Sequence, residues 1–99
     1  MPYETLVALE VSNDESYSRY RAGMTPLLEE VGGSFRYDFR ASEVLKAEEQ
    51  GAFNRVFVIA FPSKDVADAF FADPAYLAVR KEFFEPAVVK VARIASWER

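Results

Sequence analysis

An α+β fold of order β-α-β-β-α-β, a ferredoxin-like sandwich with a four-stranded antiparallel sheet and its helices on one face, is predicted by three observations. Two segments, residues 12–33 and 63–85, carry helical apolar spacing and begin on capping side chains. Four others read as strands: one before the first helix, two between the helices and one after. The 99 residues are 51% hydrophobic with nine phenylalanines, enough for one core and, at this length, one domain spanning residues 1–99.

Tyr3 to Val11 alternates as a strand, with Tyr3, Thr5, Val7, Leu9 and Val11 on one face and Glu4, Leu6, Ala8 and Glu10 on the other. In "SNDESY", Ser12 or Asn13 supplies an N-cap, and Asp14 and Glu15 sit where a carboxylate favours the helix dipole. The helix turns Tyr17, Tyr20, Met24, Leu27 or Leu28, and Val31 inward. Pro26 removes one backbone bond and bends the last turns, and Gly32-Gly33 ends the helix.

From Ser34 the alternation places Phe35, Tyr37, Phe39 and Ala41 on the helix-packed face and Arg36, Asp38 and Arg40 on the opposite one. "KAEEQGAFN" is polar and contains Gly51, so a long mobile connection is expected there, as a lid or a hairpin loop. Arg55 to Phe61 is almost continuously apolar, the mark of a central strand covered on both faces. Ser63 caps the next helix, in which Val66, Ala69, Phe70 and Phe71 face inward. Asp73-Pro74 repeats the start signal, so the helical region breaks at Ala72-Asp73 and resumes through Tyr76, Leu77, Arg80 and Phe84. Pro86 ends it, and "AVVKVARIASW" is the fourth strand.

Composition excludes several chemistries. The chain has no cysteine and no histidine, so it has no disulfide, no thiolate or imidazole nucleophile system and no metal site built on those ligands. Acid–base work would fall to carboxylates, lysine or tyrosine. The net charge of −4 is interspersed, without the basic stripe that neutralises a phosphate backbone, so no nucleic-acid partner is expected. "MPYETLVALEV" has no basic segment leading into a long apolar run, and no apolar run reaches membrane-span length; the expected setting is soluble and cytoplasmic.

With both helices on one face, either Phe57-Ile59-Phe61 or Val56-Val58-Ala60 would lie on the open face of a monomer. Covering about 400 Å² of apolar surface per partner gives roughly 10 kcal/mol of gross driving force before association costs. A homodimer through the open sheet face is therefore expected.

The segments "YRAGMTPLLEEVGGSFRYDF" and "RVFVIAFPSKDVADAFFADPAYLAVR" resemble DUF1330, a bacterial family of unknown function within the dimeric α/β-barrel superfamily. The resemblance implies a ferredoxin-like protomer whose sheet pairs with its mate, without an established reaction. The "SEVLKAEEQGAFN" stretch departs from the short "LEG"-like stretch of that family, so the resemblance does not assign the family's acidic position to Glu43 or to Glu48. The histidine ligand of the superfamily's haem-binding members has no counterpart here, and no cofactor is expected.

Candidate ligand-binding residues are Arg36, Asp38 and Arg40, of which the two arginines can grip a carboxylate or enolate in a shared dimer cavity, with Tyr20 and Tyr37 as hydrogen-bond donors. The same charges also suit an edge strand that blocks edge pairing, and Tyr17, Tyr20 and Tyr37 also suit a core with wetted hydroxyls. Tyr76 reads as a packing anchor. Glu10 and Glu43 are candidate bases if desolvated, and Asn54 and Trp97 resemble groups that hold substrate in cofactor-free monooxygenases. Two functions stay open: a cofactor-independent isomerase or monooxygenase acting on a small anionic or aromatic metabolite, and a non-catalytic homodimeric binding or interaction protein.

Overall fold

A computed structural model describes residues 1–99. In chain order the elements are β1 (Tyr3–Val11), α1 (Asp14–Glu30), β2 (Ser34–Arg40), β3 (Arg55–Phe61), α2 (Lys64–Ala72), α3 (Pro74–Val79), a π-helical turn (Arg80–Phe84) and β4 (Val88–Glu98). The strands form one antiparallel sheet of order β2-β3-β1-β4, as the predicted fold requires.

The helix boundaries follow from local chemistry. Asn13 Oδ1 accepts from the Ser16 amide at the start of α1, Ser63 Oγ accepts from Val66 at α2, and Asp73 Oδ1 accepts from Ala75 with Pro74 at the first helical position of α3. At the end of α1 the Gly33 amide reaches the Leu28 carbonyl and the Gly32 amide reaches Glu29, a paired closure that needs φ +80° at Gly32. Pro26 sits within a continuous α1, whose buried residues are Tyr17, Tyr20, Met24 and Leu28; Val31 is exposed at the cap. In α2 the buried pair is Ala67 and Phe70, while Ala69 and Phe71 are exposed.

The main core lies between the helices and one sheet face, where Val7, Leu9, Ile59 and Phe61 meet Tyr17, Tyr20, Met24, Leu28, Phe70 and Tyr76. Close approach matters at Gly23, where an added Cβ would stand 2.9 Å from Val79 Cγ1 and force α1 from α3.

Strict alternation fails in β2. Phe35 pairs with Ile59, but Tyr37 pairs with Val58, so Arg36 is an extra residue in the strand. Beyond this bulge the faces exchange. Phe35 stays with the helices, Asp38 and Arg40 join it there, and Tyr37 and Phe39 go to the open face, with Arg36 directed at Glu4. The expected Arg36-Asp38-Arg40 row is thus divided, because one unpaired residue shifts a period of two.

Two further expectations are corrected on the open face. Val58 and Ala60 lie on it yet are buried within the chain, since these small side chains sit low between Tyr37 and Leu6 and between Ser34 and Glu4. Exposed apolar surface lies instead at Tyr37 (54%) and Phe39 (55%). The 41–54 connection has no helix or strand, but its far end is fastened rather than loose. Phe53 is buried on Ala8, Ala92 and Val56, and the Asn54 side chain both accepts from the Val11 amide and donates to its carbonyl.

Candidate functional site

A cavity of about 380 Å³ opens between the helix layer and the sheet. Its floor is the helix-facing row of β1, from Tyr3 to Leu9, with Phe57 and Ile59 of β3 beside it. Its roof is α1, α3 and the π turn, and its β4 side carries Val91, Arg93 and Ser96. Most of the lining is aromatic or aliphatic, which is the usual composition of a small-molecule pocket.

The polar groups are few and specifically placed. Tyr20 and Tyr76 meet hydroxyl to hydroxyl at 2.9 Å, and the Tyr20 ring packs 4.9 Å from Phe84 and 5.6 Å from Tyr17. Burial pushes the hydroxyl pKa of Tyr17, Tyr20 and Tyr76 upward, outweighing the pull of neighbouring arginines. These phenols therefore stay neutral and keep their protons.

At one end, Arg21 Nε donates to Tyr17 Oη at 2.9 Å and its two terminal nitrogens each bond Asp38 at 3.0 Å. The guanidinium lies 3.8 Å over Phe35, and Arg55 approaches Tyr17 from the β3 side. Burial alone would lower the Arg21 pKa, but Tyr17 and Asp38 raise it overall. At the other end Arg80 pairs with Glu85 at 3.1 Å and stacks on Phe84, while Arg93 has no carboxylate partner.

A second polar cluster stands on the open face. Glu4, 1% exposed, accepts from Arg36 Nη1 at 3.2 Å, Arg99 Nε at 2.7 Å and Trp97 Nε1 at 3.1 Å. Burial raises its carboxyl pKa, but the two arginines and the indole more than offset this and hold it below the ordinary 4.5. Arg36 and Arg99 also border a shallow pocket with Ser34 and Pro62.

Of the predicted site residues, Tyr20 lines the cavity. Asp38 stands behind Arg21, Arg40 lies 3.6 Å from Asp14 at the surface, Arg36 holds Glu4, and Tyr37 stacks on Phe39 on the open face. Glu10 accepts from the Ala52 amide, Glu43 is exposed, Asn54 is tied to Val11 and the Trp97 indole to Glu4. No three His, Cys, Asp or Glu side chains converge as a metal would need. Sequence reasoning missed Arg21, Tyr76, Arg80 and Arg93 as cavity residues. The signal was present for Arg80, which shares its inward stripe with Tyr76 and Phe84, and for Arg93, which follows Val91 at strand spacing.

The fold recurs in solved structures. A Rhodopseudomonas palustris protein of unknown function superposes with a TM-score of 0.83 at 19% identity, covering 99% of this chain and 82% of that one. A dimeric protein of unknown function and ferredoxin-like fold from Bacteroides fragilis gives 0.63 at 12% identity, with 99% and 96% covered. A putative antibiotic biosynthesis monooxygenase from Nitrosomonas europaea gives 0.63 at 13% identity, with 99% and 89% covered. No curated protein matches the sequence. The profile of the domain of unknown function DUF1330 matches residues 5–94, nearly the whole chain, and the protein belongs to that family.

Proposed function

We propose that this protein is a homodimeric small-molecule-binding protein that holds one small, largely apolar molecule in the helix–sheet cavity of each protomer. The observation that carries the reading is the cavity itself: about 380 Å³, aromatic-walled, with a buried pair of neutral phenols at hydrogen-bonding distance. That volume suits a molecule of one or two rings, at the small end of ligand pockets of roughly 300–1,000 Å³. Dimer formation through the open face is supported by Tyr37 and Phe39, whose exposed rings stack there, and by the dimeric state of the Bacteroides fragilis protein of similar fold.

The reading is tested by thermal shift over a panel of one- and two-ring aromatic molecules. Saturation at 100 times Kd is expected to stabilise by about 2.7 kcal/mol. Tyr20→Phe is expected to reduce the shift by removing a donor; a hit whose shift is unchanged in Tyr20→Phe and Phe84→Ala binds elsewhere and counts against the cavity.

A second reading, a cofactor-independent enzyme of isomerase or monooxygenase type, is favoured by the Tyr20–Tyr76 pair and by the fold shared with the Nitrosomonas europaea protein. A neutral phenol in a dry site can donate to an oxygen that gains charge during reaction. Incubating any identified ligand with the protein in air, with mass spectrometry of the product, separates the two: turnover lost in Tyr76→Phe supports the enzyme, and an unchanged ligand supports the binding protein.

A further inference from the structure

We propose that Arg93 and Arg80 form an anion subsite at the β4 end of the cavity, and that the ligand class is an aromatic monocarboxylate. This rests on the cavity reading above and specifies what enters it.

The polar inventory of the cavity is one-sided. Tyr17 Oη accepts from Arg21 and its own proton has no acceptor within hydrogen-bonding distance. The Tyr20–Tyr76 contact uses one of two phenolic protons and leaves the other free. Thr5 and Ser96 share one hydrogen bond at 2.9 Å. The one carboxylate in the lining, Asp68, is bound to Lys64 at 2.9 Å. The cavity therefore sets arginine cations and unused phenol protons against a single carboxylate that is already paired, which favours an oxyanion over an amine.

The two arginines differ in a useful way. Arg93 lies on the helix-facing side of β4, opposite Val7, and has no ion-pair partner. Arg80 is the first residue of the π turn, where five-residue hydrogen bonding carries the Glu85 amide to the Arg80 carbonyl at 3.0 Å. This turn keeps Arg80 and Phe84 together on the cavity wall, with the guanidinium 5.0 Å from the ring centroid. Its counter-ion Glu85 is more than half exposed, so water can solvate that carboxylate when Arg80 turns to a ligand. Both arginines line the same cavity as Tyr76 and Phe84.

A carboxylate there would take charge-assisted bonds from Arg93 and Arg80 while its ring lies among Tyr17, Tyr20 and Phe84. The rim is locally cationic on a chain of net charge −4, so the subsite is a local feature and not a product of overall charge.

The experiment uses the full chain, folded by circular dichroism, titrated calorimetrically with 1-naphthoate and its neutral isostere 1-naphthamide. Naphthoate is expected to bind at least tenfold more tightly than naphthamide. Arg93→Ala should weaken naphthoate tenfold or more and leave naphthamide within twofold, and Arg93→Lys should recover part of the loss. Glu85→Gln should tighten naphthoate severalfold by releasing Arg80. Equal binding of the two probes, or an Arg93→Ala variant that weakens both alike, overturns the anion subsite and leaves the cavity reading standing. Binding of neither probe at millimolar concentration overturns both.

Discussion

Glu4 is the residue on which the open face depends electrostatically. Its pKa is depressed in the folded state, so its contribution to stability is fully present above about pH 4.5 and is lost as pH falls through the lower folded value. Glu4→Gln is expected to lower the Tm at pH 7 and to flatten the acid limb of the pH–stability curve, measured by thermal melts between pH 2 and 7. Tyr20→Phe leaves the buried Tyr76 hydroxyl without its partner and is expected to cost about 1–3 kcal/mol in urea unfolding. Single residues were the least legible level of the sequence. Tyr20 could be assigned to an inward stripe, but its hydroxyl partner 56 positions away could not, because that contact exists only when α1 and α3 dock. Glu4 reads as one polar residue on a mixed strand face; its two arginines and indole come from the opposite edges of the sheet.

Elements were legible where their chemistry is local. Asn13, Ser63 and Asp73-Pro74 announce helix starts within a few residues, and each caps the helix it precedes. The bulge at Arg36 was not legible, since a run of alternating residues reads equally well with or without one unpaired position; only the pairing with β3 decides it. The π turn is hidden for the same reason, as its spacing departs from a helix by a single residue per turn. Two element-scale predictions follow from observed contacts. Asn54→Ala strips both Val11 backbone groups of their partner, with an expected cost of about 1–3 kcal/mol and faster amide exchange at Val11. Gly23→Ala drives a methyl into Val79 and is expected to cost about 1–3 kcal/mol by chemical denaturation.

For the whole molecule, the layered arrangement was legible because four strands and two helical regions of this length admit few packings. What covers the second sheet face was legible only in outline: apolar β3 residues announced a two-sided strand, but Phe53 covers one end of that face from within the chain. Light scattering at micromolar concentration is expected to give twice the protomer mass, and Phe39→Glu is expected to shift it towards one, by placing a charge in the apolar patch. A monomeric mass for the unsubstituted protein would refute the dimer. The bulge at Arg36 adds a consequence for how such a protein can diverge. Deleting that one residue would leave Tyr37 opposite Val58 and Phe39 opposite Val56, so residues 37–40 would keep their faces while Glu4 lost one of its two arginines. The extra residue thus brings a cation to the open face without displacing the stacked Tyr37–Phe39 pair beside it, so charge and apolar surface on that face can vary independently among relatives of this chain.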